Sequence, residues 1–266
     1  MKRRKHYETD LTDAEWERLA PLVPAVKEGG RPAAHSRRNI VNAILYWARA
    51  GGPWRLLPGD LPPWQTVYHY FKLWRDNGTW RRIHDTLRGD LRQQLGRNRE
   101  PSAAVLDSQA VKTALPGQNA GYEAGKKIKG RKRHLVVDLL GLVLVVVVTA
   151  ACVQDRDGAY LALAPLATRF RPLRTVFADQ AYAGDLLFDW CWTQLRRWRK
   201  VFLWIVKKPA AQHGFQLLPK RWVVERTFGW FTWWRRLSKD YERHTATSEA
   251  LIHVVMIRLM LRRLVR

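Results

Sequence analysis

The sequence predicts an all-α domain over residues 1–100 followed by a mixed α/β domain over residues 101–266, and three observations carry that prediction. Apolar residues recur at helical spacing as far as Leu95, then at strand spacing or in short Val-rich runs after Pro101. A hydrophobic content of 47% over 266 residues is enough to fill a sizeable core. The most apolar stretch, Leu139 to Val153, is shorter than the roughly 20 residues a membrane span needs, and its valines mark a buried strand.

In the first half, Thr12 and Glu15 form a capping box that opens a helix carrying Trp16 and Leu19 and ending near Pro24. Ser36 caps a second helix through Arg49, with Ile40, Ile44 and Trp47 on one face and Gly51-Gly52 as its stop. Pro63 opens a third, to Asp76, that buries Val67, Phe71 and Trp74 and turns Gln65, Tyr68, His69, Lys72 and Arg75 to other faces. A fourth runs from Thr79 to Leu95 with Trp80, Ile83, Leu87, Leu91 and Leu95 inward.

In the second half, strands are expected at Ala103–Leu106, Arg133–Asp138, Leu142–Thr149, Thr175–Ala178 and Val201–Val206, the second and third forming a hairpin about Leu140-Gly141. Helices fall at about 157–168, 185–197, 220–237 and 248–264, so that helices cover a central sheet.

Charge narrows the function. The net charge of +24 repels itself in a compact chain and points to a polyanionic partner, DNA or RNA ahead of a membrane. Cys152 and Cys191 have no CxxC spacing and read as small buried hydrophobes in a reducing compartment. The start, MKRRKHYETD, is charged but has no apolar segment behind it, so a cytoplasmic, nucleoid-associated protein is expected. Many of the 14 tryptophans stand near Arg or Lys, as in Trp47-Ala48-Arg49, Trp198-Arg199-Lys200 and Trp233-Trp234-Arg235-Arg236. Core packing accounts for most of them, and stacking on bases or sugars is open to the rest.

Three acids are hard to explain by solubility. Asp107 follows the apolar run Ala103-Ala104-Val105-Leu106, and Asp179 follows Thr175-Val176-Phe177-Ala178. A carboxylate at the end of a buried strand is desolvated unless a cap, a cation or a metal satisfies it. Glu225 stands among apolar residues on an expected helix, where pairing with Arg221 or Arg226 is the plain alternative. Together the three fit a phosphoryl-transfer site for two Mg²⁺ ions, with Mn²⁺ as substitute. Such a site needs no side-chain nucleophile, in agreement with the lack of a convincing GxSxG, CxxC, Walker A or GxGxxG motif.

The stretches LDSQAVKT (106–113), GRKRH (130–134), QDRDGA (154–159), ADQAYAG (178–184) and RWVVERTF (221–228) resemble the DDE transposases of the IS5 family of bacterial insertion sequences, in the group around IS402 and IS1031. Leu11 to Leu95 resembles that group's N-terminal domain. The resemblance implies a ribonuclease H-like, retroviral-integrase-type catalytic domain with the triad on Asp107, Asp179 and Glu225. Many relatives carry Tyr, Arg, Glu and Lys around the third acid. Here Arg221 and Glu225 match, while Leu218 and Thr232 stand where Tyr and Lys would be, and Arg236 is the candidate substitute for gripping DNA.

Two further segments are assigned to DNA. The run GYEAGKKIKGRKRH (121–134) reads as a glycine-containing loop whose Lys126, Lys127, Lys129, Arg131, Lys132 and Arg133 follow the phosphate backbone, against a solvated charge run as the plain alternative. Asp155 and Asp157 compete as metal ligands but are explained as well by a helix start, and they stay outside the triad. The helix from Pro63 to Asp76 is the candidate major-groove reader, with Gln65, His69, Lys72 and Arg75 as contacts; a helical dimerisation domain is the alternative. The expected protein binds terminal inverted repeats and target DNA as a homodimer or higher oligomer, cleaves with Mg²⁺ and joins strands. Its rivals are a structure-specific nuclease of the same fold and a non-catalytic DNA-binding regulator.

Overall fold

The computed structural model describes residues 5–25, 34–114, 119–196, 201–206 and 220–266. Trp198-Arg199-Lys200 and Leu218 lie outside the described residues.

Helix α1 (Asp13–Leu19) begins at the expected capping box: Thr12 Oγ1 accepts from the Glu15 amide at 3.2 Å, and Glu15 Oε2 accepts from the Thr12 amide at 2.8 Å. Helix α2 (Arg37–Ala50) is capped by Ser36 and stopped by Gly51, whose φ of 79° is a conformation that suits glycine. Helices α3 (Trp64–Asp76) and α4 (Thr79–Gln94) bury the predicted apolar faces. Leu95 is the exception at 51% exposed, since α4 ends one residue before it.

Among the described residues, six strands, β1 (Ala103–Lys112), β2 (Gly121–Glu123), β3 (Ile128–Asp138), β4 (Val143–Ala150), β5 (Thr175–Ala178) and β6 (Phe202–Ile205), form one sheet in the order β2-β3-β1-β5-β6, with β4 also beside β3. β3 is antiparallel to both β1 and β4, whereas β5 runs parallel to β1 and β6 parallel to β5. The β3–β4 turn is held by Asp138, whose Oδ1 accepts from the amides of Leu140 at 2.9 Å and Leu142 at 2.8 Å. Its other oxygen pairs with Arg92 in the interior, so the carboxylate is fully buried and fully used.

The remaining helices are α5 (Asp155–Leu163), α6 (Leu166–Arg169), α7 (Asp185–Trp190), α8 (Trp222–Thr232), α9 (Arg235–Ser238) and α10 (Thr245–Leu264). After α7 the chain continues in π-helical turns over Cys191–Arg196. The helix expected at 157–168 starts earlier and breaks before Pro165, where proline lacks the amide a continuous helix needs.

Strand alternation sorts the core onto two faces. Ala104, Leu106 and Val136 point to one face and meet apolar residues of α5, α6 and α7. Val105, Leu135 and Val137 point to the other and join a core shared by α2, α3, α4, α8 and α10. The C-terminal α10 packs against α4, so the N-terminal helices and the end of the chain complete one another.

Further expectations change in the sheet and at the cysteines. β1 runs on to Lys112, so Asp107 sits in mid-strand opposite Leu135 instead of at a strand end. The basic run 121–134 is the hairpin β2–β3, and Arg131, Lys132 and Arg133 are buried. Lys126, Lys127 and Lys129 stay exposed at its tip. Gly130 permits this pairing, because a Cβ there would lie 1.9 Å from the Val111 carbonyl oxygen. Finally, Cys152 is exposed, whereas Cys191 is buried as expected and its thiol is pushed up to about 12 by burial.

The α4–α10 contact carries a pH prediction. The His84 and His253 rings lie 5.0 Å apart, and burial lowers the pKa of both. A base whose folded pKa lies below its ordinary 6.5 contributes stability that is complete above 6.5 and lost as the pH falls. We expect the contribution of these two histidines to denaturant stability to fall between pH 7 and pH 5 by up to about 1.4 kcal/mol per pH unit for each. His253→Phe should reduce that slope; an unchanged slope would refute the assignment.

Candidate active site

Asp107, Asp179 and Glu225 reach one place from three elements. Asp107 shares its side of β1 with Val105, the face against which α8 packs, and α8 carries Glu225. Asp179 stands immediately after β5, which lies parallel to β1. At their centre is Arg221, just before α8. Its Nη2 lies 3.2 Å from Asp179 Oδ2, 3.8 Å from Asp107 Oδ2 and 3.9 Å from Glu225 Oε1. Among the described residues, one cation thus answers three carboxylates.

Asp107 responds to its burial first and to that ratio second. Burial pushes its carboxyl up to about 6, the charges of Asp179 and Glu225 push the same way, and the Ser108 amide and Arg221 pull against them. The Ser108 amide donates to Asp107 Oδ1 at 2.7 Å, while the Ser108 hydroxyl donates to Asp155 Oδ1 at 2.6 Å. Asp179 is oriented by the Ala181 amide at 2.9 Å and therefore caps the short turn that follows it.

Asp155 lies in the first turn of α5 with Asp157 and is bound by Lys132 Nζ at 3.0 Å. Burial opposes its ionisation, but the Ser108 hydroxyl and Lys132 prevail and lower its pKa. Beneath it, the buried His134 ring packs on Gly158, where a Cβ would come within 2.0 Å of the ring. Burial holds His134 down at about 4 and therefore neutral at pH 7. These contacts give the segments 130–134 and 154–159 a shared task, supporting the floor beside Asp107. Both segments stand out in the sequence, but nothing local marks them as neighbours.

Several residues expected on DNA are used inside the protein. Arg131 pairs with Asp240 at 3.0 Å and donates to the Arg243 carbonyl at 2.8 Å. Lys132 pairs with Asp155 and Glu123, and Arg133 donates to the Leu237 carbonyl at 2.9 Å. The helix expected over 220–237 breaks after Thr232, and Trp234 is extended. Arg236 is thereby drawn inward to Glu242 at 2.7 Å and to the carbonyls of Gly51 and Gly52. Arg75 is held by Asp76 and by the Thr247 hydroxyl at 2.6 Å. Gln65, His69 and Lys72 do line an exposed face of α3. Asp138 and Asp240, both buried with arginine partners, escaped the sequence reading; Asp138 was signalled by its place just before a glycine turn.

Three hard oxygen donors around one cation among the described residues, with Asp107 raised by burial first and by the charges of Asp179 and Glu225 after it, fit the donor chemistry of a divalent ion. As placed, they spread around Arg221: among the described residues no three metal-ligating side chains are grouped to hold an ion. Nor is any described helix long and apolar enough to cross a membrane.

Known proteins resemble the chain over most of its length. Residues 11–84 match the family model of a putative transposase of the IS4/5 family, and residues 98–260 match that of the transposase DDE domain. A putative transposase for insertion sequence element IS402 from Burkholderia cepacia is 31% identical over 134 residues, which cover 46% of this chain and 59% of that protein. The uncharacterized protein y4sN of Sinorhizobium fredii is 35% identical over 68 residues, 26% of this chain and 54% of that one. An uncharacterized 16.2 kDa protein of insertion element IS402, also from Burkholderia cepacia, is 29% identical over 121 residues, covering 42% and 78%. The chain therefore spans little more than half the length of the first two relatives. No solved structure matches. Since the DDE model covers more than half of the residues and includes all three clustered acids, the chain belongs to the DDE transposases of the IS4/5 family.

Proposed function

We propose that the chain binds the terminal inverted repeats of an insertion element as a dimer or higher oligomer, hydrolyses phosphodiester bonds to expose 3′ hydroxyls, and joins these to target DNA. The observation that carries the reading is the convergence of Asp107, Asp179 and Glu225 on Arg221. A sheet of antiparallel β4, β3 and β1 continued by parallel β5 and β6, with helices on both faces, supports a ribonuclease H-like fold for residues 101–266. Residues 1–100 serve DNA binding and assembly, and the net charge of +24 supports a nucleoid location.

Asp107, Asp179 and Glu225 would hold Mg²⁺, or Mn²⁺ in its place. Two such ions, when bound, supply activation of the attacking oxygen and stabilisation of the leaving one. Ser108 orients Asp107 and the Ala181 amide orients Asp179, so the acids are fixed before substrate arrives. Arg221 holds the acids together in the free protein and is available to a DNA phosphate once another cation replaces it. Lys126, Lys127 and Lys129 on the β2–β3 tip reach the phosphate backbone, and Gln65, His69 and Lys72 read the repeats from α3.

A gel assay with cognate ends and Mg²⁺ tests the reaction: joined products are expected, nicked DNA alone would mean a nuclease, and a shift without products a regulator. For readout, Gln65→Ala or His69→Ala should narrow the gap between cognate and scrambled ends by about 1 to 3 kcal/mol for each bidentate hydrogen-bonded pair that the substitution abolishes. The slope of log K against log salt should change by no more than about 1. Equal losses on both DNAs would reassign α3 to assembly.

A further inference from the structure

Outside the acid cluster, a cleft of about 730 Å³ opens between the start of α3, the end of β1 and the segment leading into α10. That volume lies in the range of small-ligand sites. Its walls include Trp54, Trp64, Tyr68 and Tyr241, with Arg55 and Arg243 at hand. The Arg55 guanidinium lies 5.0 Å from the Trp64 ring centroid, and Tyr68 meets Trp54 edge to face at 5.6 Å. The one carboxylate among the described residues of the lining, Glu242, is already paired with Arg236. Trp54 already stacks on Trp47 and Arg236 lies over the Tyr241 ring, so Trp64 and Tyr68 are the rings left beside arginines that have no carboxylate partner among the described residues, a setting that suits a flat, electron-rich ring carrying a phosphate.

We propose that this cleft binds one unpaired nucleotide of the DNA, the base stacking on the aromatic wall and the phosphate meeting Arg55 or Arg243. The proposal rests on the DNA-binding function above. Tyr68 links the two: it stands on α3 between Gln65, His69 and Lys72 and also lines the cleft, so a base leaving a duplex on that face has an aromatic surface to receive it. Stacking on side chains offsets the stacking lost in the duplex, and sequence enters only weakly.

The test measures binding of the full chain to a blunt end duplex and to the same duplex with one unpaired nucleotide. At least a roughly fivefold preference for the second is expected, the low end for stacking one base on an aromatic ring. Trp64→Ala and Arg55→Gln should remove it, Trp64→Phe should retain it, and circular dichroism should show all three folded. If Trp64→Ala does not fold, Arg55→Gln and a 5-iododeoxyuridine cross-link from the unpaired position decide, with attachment expected at the peptide bearing Trp64 or Tyr68. Equal binding of both duplexes, or cross-linking elsewhere, overturns the cleft while leaving the transposase reading intact. Failure to bind either duplex overturns that reading as well. A deoxynucleoside monophosphate that displaces the DNA at micromolar concentration would make a free nucleotide the ligand and overturn the assignment to DNA.

Discussion

Asp107→Asn is expected to be inactive and yet more stable than the native chain. The change keeps the shape and leaves an oxygen for the Ser108 amide, but it removes one of the three carboxylate charges around Arg221. Cleavage and joining should fall by about a thousandfold or more, because in the proposed reaction several kcal/mol of transition-state stabilisation would depend on divalent ions held by these acids. Binding to DNA ends should be nearly unchanged. Stability moves the other way. A carboxyl raised from 3.8 to about 6 in the fold contributes stability that is complete below 3.8 and lost as the pH rises through about 6. At pH 7 the ionised group therefore costs up to about 3 kcal/mol, which the amide recovers and which disappears below about pH 4. Asp179→Asn and Glu225→Gln should lose activity to the same extent, and the exposed Asp157 should tolerate Asn much better. Cleavage by Asp179→Asn near the native rate would remove it from the site, and a less stable Asp107→Asn would mean that Arg221 already balances the cluster.

The acids could be read from the sequence because two of them interrupt or end apolar strands, where a carboxylate needs a reason to be. Helix starts were equally legible, since caps such as Thr12 and Ser36 act over three residues. Strand length was not. β1 continues past Asp107 because β3 continues beside it, and β3 does so because its cations find acids far away in sequence: Asp155 for Lys132, Asp240 for Arg131. The same long-range pairing ended the helix before Arg236, whose partner Glu242 lies past a break that no local signal marks. Local chemistry was readable and non-local pairing was not, so a run of positive charge read as a surface.

That distinction divides the run 126–133 into two classes with opposite phenotypes. Arg131 is fully buried, with Asp240 at 3.0 Å, the Arg243 carbonyl at 2.8 Å and the Ser248 hydroxyl at 3.3 Å. Removing one partner of a buried pair leaves the other uncompensated, so Arg131→Ala should destabilise the fold by about 3 to 5 kcal/mol. Its DNA affinity, measured where it is still folded, should keep the native salt slope. Lys127 and Lys129 stand exposed on the hairpin tip, and their replacement by Ala should change stability by no more than about 0.5 kcal/mol. Each should instead flatten the fall of log K with log salt by about 0.9 for every phosphate it no longer neutralises, equally for cognate and scrambled DNA. Denaturant melts and salt titrations on the same three variants decide it. A stable Arg131→Ala with a flattened slope would return Arg131 to the DNA interface, and unchanged slopes in Lys127→Ala and Lys129→Ala would make the tip a solvated turn.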